Sequence, residues 1–193
     1  MNGYGAGINA RITGMGMCVP DQVLPSADLS RRLNLPEDWI PSHVGLCDRH
    51  IAEPGQGTAA VAAIAAERAL ADAKVSASEV DLVIVATQSP DRPVPSTAAI
   101  LQGRLRLARA AAFDLNAACS GFVYALTVGS QFIATGAYRN ILVIGADVVS
   151  PCINWEDPAT CILVGDGAGA VVLAPTEPGQ GILAWKLGAD GSG

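Results

Sequence analysis

The sequence predicts an α/β fold in which mostly parallel strands are covered by helices on both faces. Three observations carry that reading. The apolar runs VDLVIVAT at 80–87 and NILVIGA at 140–146 have the length and β-branched content of strands buried on both sides. Ala-rich or amphipathic stretches of helical length lie at 58–74, 95–107 and 120–135. The two patterns alternate along the chain, as layered α/β architectures require.

In chain order, Asn9 to Met17 reads as a first strand, ended by Val19 and Pro20. Ser26 to Leu33 reads as a short helix capped by Ser26, and Pro36 to Ile51 as an irregular or short-helical connection. Thr58 to Lys74 is a helix with a Thr cap, leading into the strand Val80 to Thr87. A helix with proline at its start spans Pro95 to Leu107, and Ala111 to Leu115 is a short strand. Ser120 to Thr135 is a helix stopped by Gly136, and Asn140 to Ala146 a buried strand. Cys161 to Ala174 reads as strand, glycine-rich turn and strand, and Ile182 to Lys186 as an edge strand. With no linker or low-complexity segment, 1–193 reads as one unit.

Composition narrows the function. Of 193 residues, 50% are apolar and 16% charged, enough for a well-filled core. A net charge of −6 without any Lys/Arg run argues against a nucleic-acid surface. The nearest basic patch, Arg104, Arg106 and Arg109, reads as a solvated helix end, with an acidic partner as the alternative. The opening MNGYGAGINARITGMGMCVP lacks the apolar core of a secretory signal, and no apolar run reaches the roughly 18 residues of a membrane span. Cys18, Cys47, Cys119, Cys152 and Cys161 are odd in number, scattered and free of C-x-x-C pairs. They read as reduced thiols of a cytoplasmic protein rather than a disulfide framework or a zinc site.

The most informative segment is DLNAACSGFVYAL at 114–126. A strand ends at Leu115, Asn116 to Ala118 form a tight turn, and Cys119 falls at the first turn of the next helix. Unpaired N–H groups and the positive end of the helix dipole favour a thiolate there. Ala117, Ala118, Ser120 and Gly121 leave room for a substrate to approach. The competing reading is a cysteine buried in an apolar stretch. A second motif, GDGAG at 165–169, has the glycines of a phosphate loop but neither its Lys-Ser/Thr nor a following helix. It reads better as a turn joining two strands.

Taken together, SADLSRRLNLPEDWI, GLCDRHIAEPG, VDLVIVATQSPDRPVPSTAAILQGRL, DLNAACSGFVYAL and VGDGAGAVVL resemble β-ketoacyl-acyl-carrier-protein synthase III, the initiating condensing enzyme of the thiolase superfamily, along the whole chain. The resemblance implies the N-terminal half of a thiolase-like fold, with a mostly parallel five-stranded sheet, carrying the nucleophilic cysteine at residues 1–193. It also implies a homodimer. Cys119 would take an acyl group from an acyl-CoA or acyl-carrier-protein thioester, and the carbanion formed on decarboxylation of a malonyl-carrier protein would attack it. No metal or redox cofactor is implied. The family's histidine and asparagine belong to a C-terminal half outside this chain. His43 and His50 match no catalytic position, and His50 reads as a structural hydrogen-bonding group.

The chain also departs from the family. Trp39 matches the tryptophan that stacks on the adenine of coenzyme A, with packing beside Ile40 as the alternative. The Arg-Thr pair that follows it in the family is His43 and Val44 here, and a further arginine of that site falls on Pro158. Two guanidinium contacts to the nucleotide are thus lost, which implies weak coenzyme A binding or a carrier-bound donor. Val94 stands where the family often has a phenylalanine that closes the partner's acyl pocket, so a roomier pocket is expected. These departures point to a specialised member, in polyketide or other secondary metabolism. The alternatives are a non-condensing acyltransferase of the same fold and a half that only assembles with a partner. A degradative thiolase frames its cysteine differently from DLNAACSGF.

Overall fold

Strands built almost wholly from Leu, Ile, Val and Ala cannot leave either face in water. The structure, a computed structural model describing residues 2–3 and 8–192, buries two such strands inside a five-stranded sheet. The first elements are β1 (Asn2–Gly3), β2 (Asn9–Cys18), β3 (Gln22–Pro25), α1 (Ser26–Arg32), α2 (Trp39–Val44) and β4 (Asp48–Ile51). Then come α3 (Thr58–Ala73), β5 (Leu82–Ala86), α4 (Thr97–Arg104), β6 (Ala111–Leu115) and α5 (Gly121–Ala134). The last are β7 (Ile141–Asp147), α6 (Pro158–Cys161), β8 (Gly167–Thr176) and β9 (Ala184–Trp185).

The sheet runs β2-β8-β7-β5-β6. β5 pairs in parallel with β6 and β7, whereas β8 is antiparallel to both β7 and β2. Four strands therefore share one direction and β8 opposes them, so the expected mostly parallel sheet is present with antiparallel pairing on both sides of β8. This reversal brings the glycine-rich start of β8 to the same end of the sheet as the last residues of β5 and β7.

The two-residue period of the strands divides the core. Val83, Val85, Leu142, Ile144 and Val172 pack under α3, while Leu82, Ile84, Ile141, Val143 and Leu173 pack under α5. α3 lies so close to β2 that only glycine fits beneath it. A Cβ on Gly16 would stand 2.3 Å from the Ala65 carbonyl oxygen and 2.5 Å from the Ala69 nitrogen, and one on Gly14 would stand 2.3 Å from the Ala73 nitrogen.

Several local expectations change. The segment expected as strand, turn and strand is the last residue of α6, a loop at 162–166 and then β8, with Gly167 and Gly169 inside the strand. Asp157 caps α6 by accepting from the Ala159 N–H, and Pro158 occupies its first turn, so Cys161, expected to open a strand, closes a short helix instead. The 36–51 connection contains α2 and β4, and β4 pairs antiparallel with β3. Neither Ser26 nor Thr58 caps its helix. The Ser26 hydroxyl donates to the Leu46 carbonyl, and that of Thr58 to the Ser89 carbonyl. α4 begins only at Thr97, where the Ser96 side chain caps it by accepting from the Ala99 N–H. β9 pairs with β1 outside the main sheet.

One buried carboxylate ties the loops at the glycine end of the sheet. Asp166 Oδ1 accepts from the Val149 and Ser150 N–H groups at 2.8 and 3.0 Å, and Oδ2 from the Ala52 N–H at 2.7 Å and from the Ser150 hydroxyl. The end of β4, the segment after β7 and the glycine loop thereby become one unit, with the charge met by donors rather than by a cation.

Two outcomes follow for stability. Gly16→Val should lower the urea midpoint at unchanged m-value by a loss of about 2 kcal/mol or more, since backbone rather than a side chain blocks the added methyls. Asp166→Ala should cost about 3 kcal/mol by the same measurement, because it strands the buried N–H groups of Ala52 and Ser150 and the half-buried one of Val149.

Candidate active site

The chain leaves β6 at Leu115 and turns sharply. Asn116 Oδ1 accepts the Ala118 N–H at 3.2 Å, and Ala118 adopts a left-handed conformation with φ +46°. Such a conformation costs an alanine about 1–2 kcal/mol, and strain of this kind collects at functional sites. Ala118–Ser120 form one 3-10 turn that runs into α5 at Gly121. Cys119 thus sits just before the α-helix rather than in its first turn, and its side chain is exposed. Gly121 lets α5 settle on the sheet, since a Cβ there would meet the Ala86 methyl at 3.2 Å.

Cys119 opens on a cavity of about 380 Å³ at the C-terminal ends of β5 and β7. Ala86, Gly145 and Gly169 stand side by side on three adjacent strands and form part of its wall. Gly145 lies under Phe122, whose ring would be 3.2 Å from an added Cβ, whereas nothing lies within 4 Å of the corresponding point at Gly169. Gly165 and Gly167 continue the wall, and Asp147 is the one charged side chain among the lining residues.

The other thiols differ. Burial pushes those of Cys18 and Cys161 up, which keeps them protonated and unreactive. Cys47 and Cys152 are exposed, but neither lines the Cys119 cavity.

Neither Trp39 nor Val94 lines that cavity. Trp39 is half-buried and packs with the Leu29, Ile40, Cys161 and Ile162 cluster. One face of its indole is covered by the His43 imidazole, with centroids 4.3 Å apart and planes 12° from parallel. His43 Nδ1 lies 2.9 Å from the Trp39 carbonyl oxygen. Val94, 82% exposed, stands on the loop between β5 and α4. His50 Nδ1 donates to the Pro20 carbonyl, the structural role expected of it. Pro158 opens α6.

Sequence reasoning missed Gly145, Gly165, Gly167, Gly169 and Asp147 as neighbours of Cys119. A signal existed: glycines at 165, 167 and 169 carry the two-residue spacing of one strand face, and a cavity wall of bare backbone needs that spacing.

Comparison with known proteins agrees with this geometry. The family described as 3-oxoacyl-[acyl-carrier-protein (ACP)] synthase III matches residues 113–191. The β-ketoacyl-[acyl-carrier-protein] synthase III of Geobacillus kaustophilus is 48% identical over 186 residues, which are 96% of this chain and 60% of that protein. The crystal structure of 3-oxoacyl-[acyl-carrier-protein] synthase III from Aquifex aeolicus superposes with a TM-score of 0.84 at 42% identity, covering 87% of this chain and 54% of the other. The priming β-ketosynthase of the R1128 polyketide biosynthetic pathway gives a TM-score of 0.85 at 31% identity, with 89% and 51% covered. The chain therefore spans about half to three fifths of the length of these relatives. With identity sustained along nearly all of its residues and the same fold in solved relatives, this chain is similar to β-ketoacyl-acyl-carrier-protein synthase III of the thiolase superfamily over the part of those proteins that it spans.

Proposed function

We propose that this chain is the acyl-loading part of a condensing enzyme, with Cys119 as the nucleophile that accepts an acyl group from a coenzyme A or carrier-protein thioester. The observation that carries the reading is an exposed thiol, held by a left-handed Ala118 at the start of α5, opening on a cavity walled largely by bare backbone. The sulfur attacks the donor carbonyl and forms a new C–S bond. The donor's C–S bond breaks, and the donor thiol leaves with the proton that Cys119 gave up. The N–H groups and dipole at the helix start favour the oxyanion formed on the way. This exchange calls for no metal or redox group.

Condensation itself, attack by the carbanion released when a malonyl-carrier protein loses carbon dioxide, is assigned to the complete protein. No histidine or asparagine lines the Cys119 cavity among the described residues. Two features favour a second, C-terminal half. α5 carries no charged residue and exposes Val123 at 51%, although an uncharged, mostly apolar helix belongs in an interior. On the same sheet face, Met15 and Met17 are 65% and 59% exposed opposite Val171 and Gly169. We assign this face to the second half, and the exposed Val94 loop to a homodimer contact.

His43 covers one face of Trp39, and His43, Val44 and Pro158 offer no guanidinium to a nucleotide, which favours a carrier-bound donor over free coenzyme A. Likeness to the R1128 priming β-ketosynthase favours a role in polyketide or other secondary metabolism alongside fatty-acid synthesis. The five unpaired cysteines suit the cytoplasm, and no helix among the described residues is long and apolar enough to cross a membrane.

Intact mass spectrometry with a panel of acyl thioesters on coenzyme A and on carrier protein should show one acyl adduct, lost in Cys119→Ala. No adduct on the complete protein with any donor would overturn the reading. Cys119→Ala should shift folding stability by no more than about 1 kcal/mol in urea titration, since a small residue replaces a small exposed one. In the complete protein, Val94→Phe should depress loading by branched, long or aromatic acyl donors relative to acetyl, measured as a ratio of loading rates.

A further inference from the structure

The Cys119 cavity holds one fixed charge, and it is negative. Asp147 ends β7 on the α5 face of the sheet, two residues beyond Gly145 and four beyond Val143. Its two carboxylate oxygens are used unequally. Oδ1 accepts from Thr87 Oγ1 at 3.0 Å, the Gln88 N–H at 2.9 Å, the Ser89 N–H at 3.0 Å and Ser89 Oγ at 2.7 Å. Oδ2 accepts none of these bonds, and no cation among the described residues pairs with the group.

We propose that Asp147 is a specificity-determining residue that admits neutral acyl groups to Cys119 and turns away acyl groups bearing a carboxylate. The inference rests on the loading role of Cys119. An unneutralised charge in a cavity with low-dielectric walls repels a second charge of the same sign. Selectivity needs such repulsive elements as much as attractive contacts. A condensing enzyme meets two kinds of thioester, the primer that must acylate its cysteine and the malonyl unit that must not. They differ in one free carboxylate, and a carboxylate beside the thiol reads that difference.

Asp147→Asn separates this role from support of the 87–89 turn. The amide oxygen in the Oδ1 position retains all four accepted bonds, while a neutral NH₂ replaces Oδ2. The full chain is treated with iodoacetamide and iodoacetate, similar in size and different in charge, and the adducts are located by peptide mass. The neutral-to-anionic rate ratio at Cys119 should fall by about threefold to tenfold in Asp147→Asn, while the ratio at the exposed Cys47 stays constant. In the unsubstituted protein, added salt should raise the iodoacetate rate at Cys119 relative to iodoacetamide, a readout that requires no variant. An unchanged ratio in the variant, or no salt effect, would overturn the proposal.

The same proteins are then offered acetyl and malonyl thioesters. The unsubstituted protein should acquire acetyl alone and Asp147→Asn both. Equal loading by the two in the unsubstituted protein would overturn the charge filter while leaving Cys119 as the acyl acceptor. A shifted alkylation ratio with no loading by any thioester would overturn the loading reading and, with it, the acyl form of the proposal.

Discussion

Two strands without a polar face impose the architecture. β5 is buried along its whole length and β7 along most of it, so helices must cover both sides of the sheet: α3 on one, α5 on the other. With both faces occupied, only the strand ends remain open to a substrate. The parallel run of β6, β5 and β7 places three carboxyl ends together, and the reversed β8 adds its amino end to the same edge. Cys119 is delivered there because β6 ends beside β5 and the chain must turn back over the sheet into α5.

At that edge the protein gives up side chains to make space. Gly145 and Gly169 face each other across β7 and β8, with Ala86 beside them, so the sheet surface drops where Cys119 and Phe122 stand above it. Glycine in a strand interior weakens the strand. The loss is confined to the open edge of the sheet, at the end of β7 and the start of β8, whose remaining residues are mostly apolar. The backbone on either side is then held by two carboxylates rather than by packing.

Those two carboxylates are used differently. Asp166 is buried, and both of its oxygens are committed to the loops after β4 and β7. Asp147 commits one oxygen to the 87–89 turn and lines the cavity on which the thiol opens. The first fixes the shape of the site, and the second gives it a charge. Because the 87–89 turn leads on to Val94, the same residue also connects the thiol's cavity to the most exposed apolar side chain of the β5–α4 loop.

What the sequence determined by itself was local. Apolar periodicity placed β2, α3, β5, β6, α5 and β7 within a few residues of their observed bounds, because burial pattern and hydrogen-bond period are properties of a short stretch of chain. It also singled out Cys119, since a thiol between a strand and a helix among small residues has a recognisable local context. It misread the start of the 161–174 segment, where Cys161 closes α6 and a loop leads into β8, and it passed over β4, whose pairing with β3 spans more than twenty residues. Only the tertiary structure decided that β8 runs antiparallel, that Gly145 and Gly169 become neighbours, and that Asp147 rather than His43 or His50 shares the cavity with Cys119. Strand order and direction arise from contacts between residues far apart in the chain, and no local pattern encodes them.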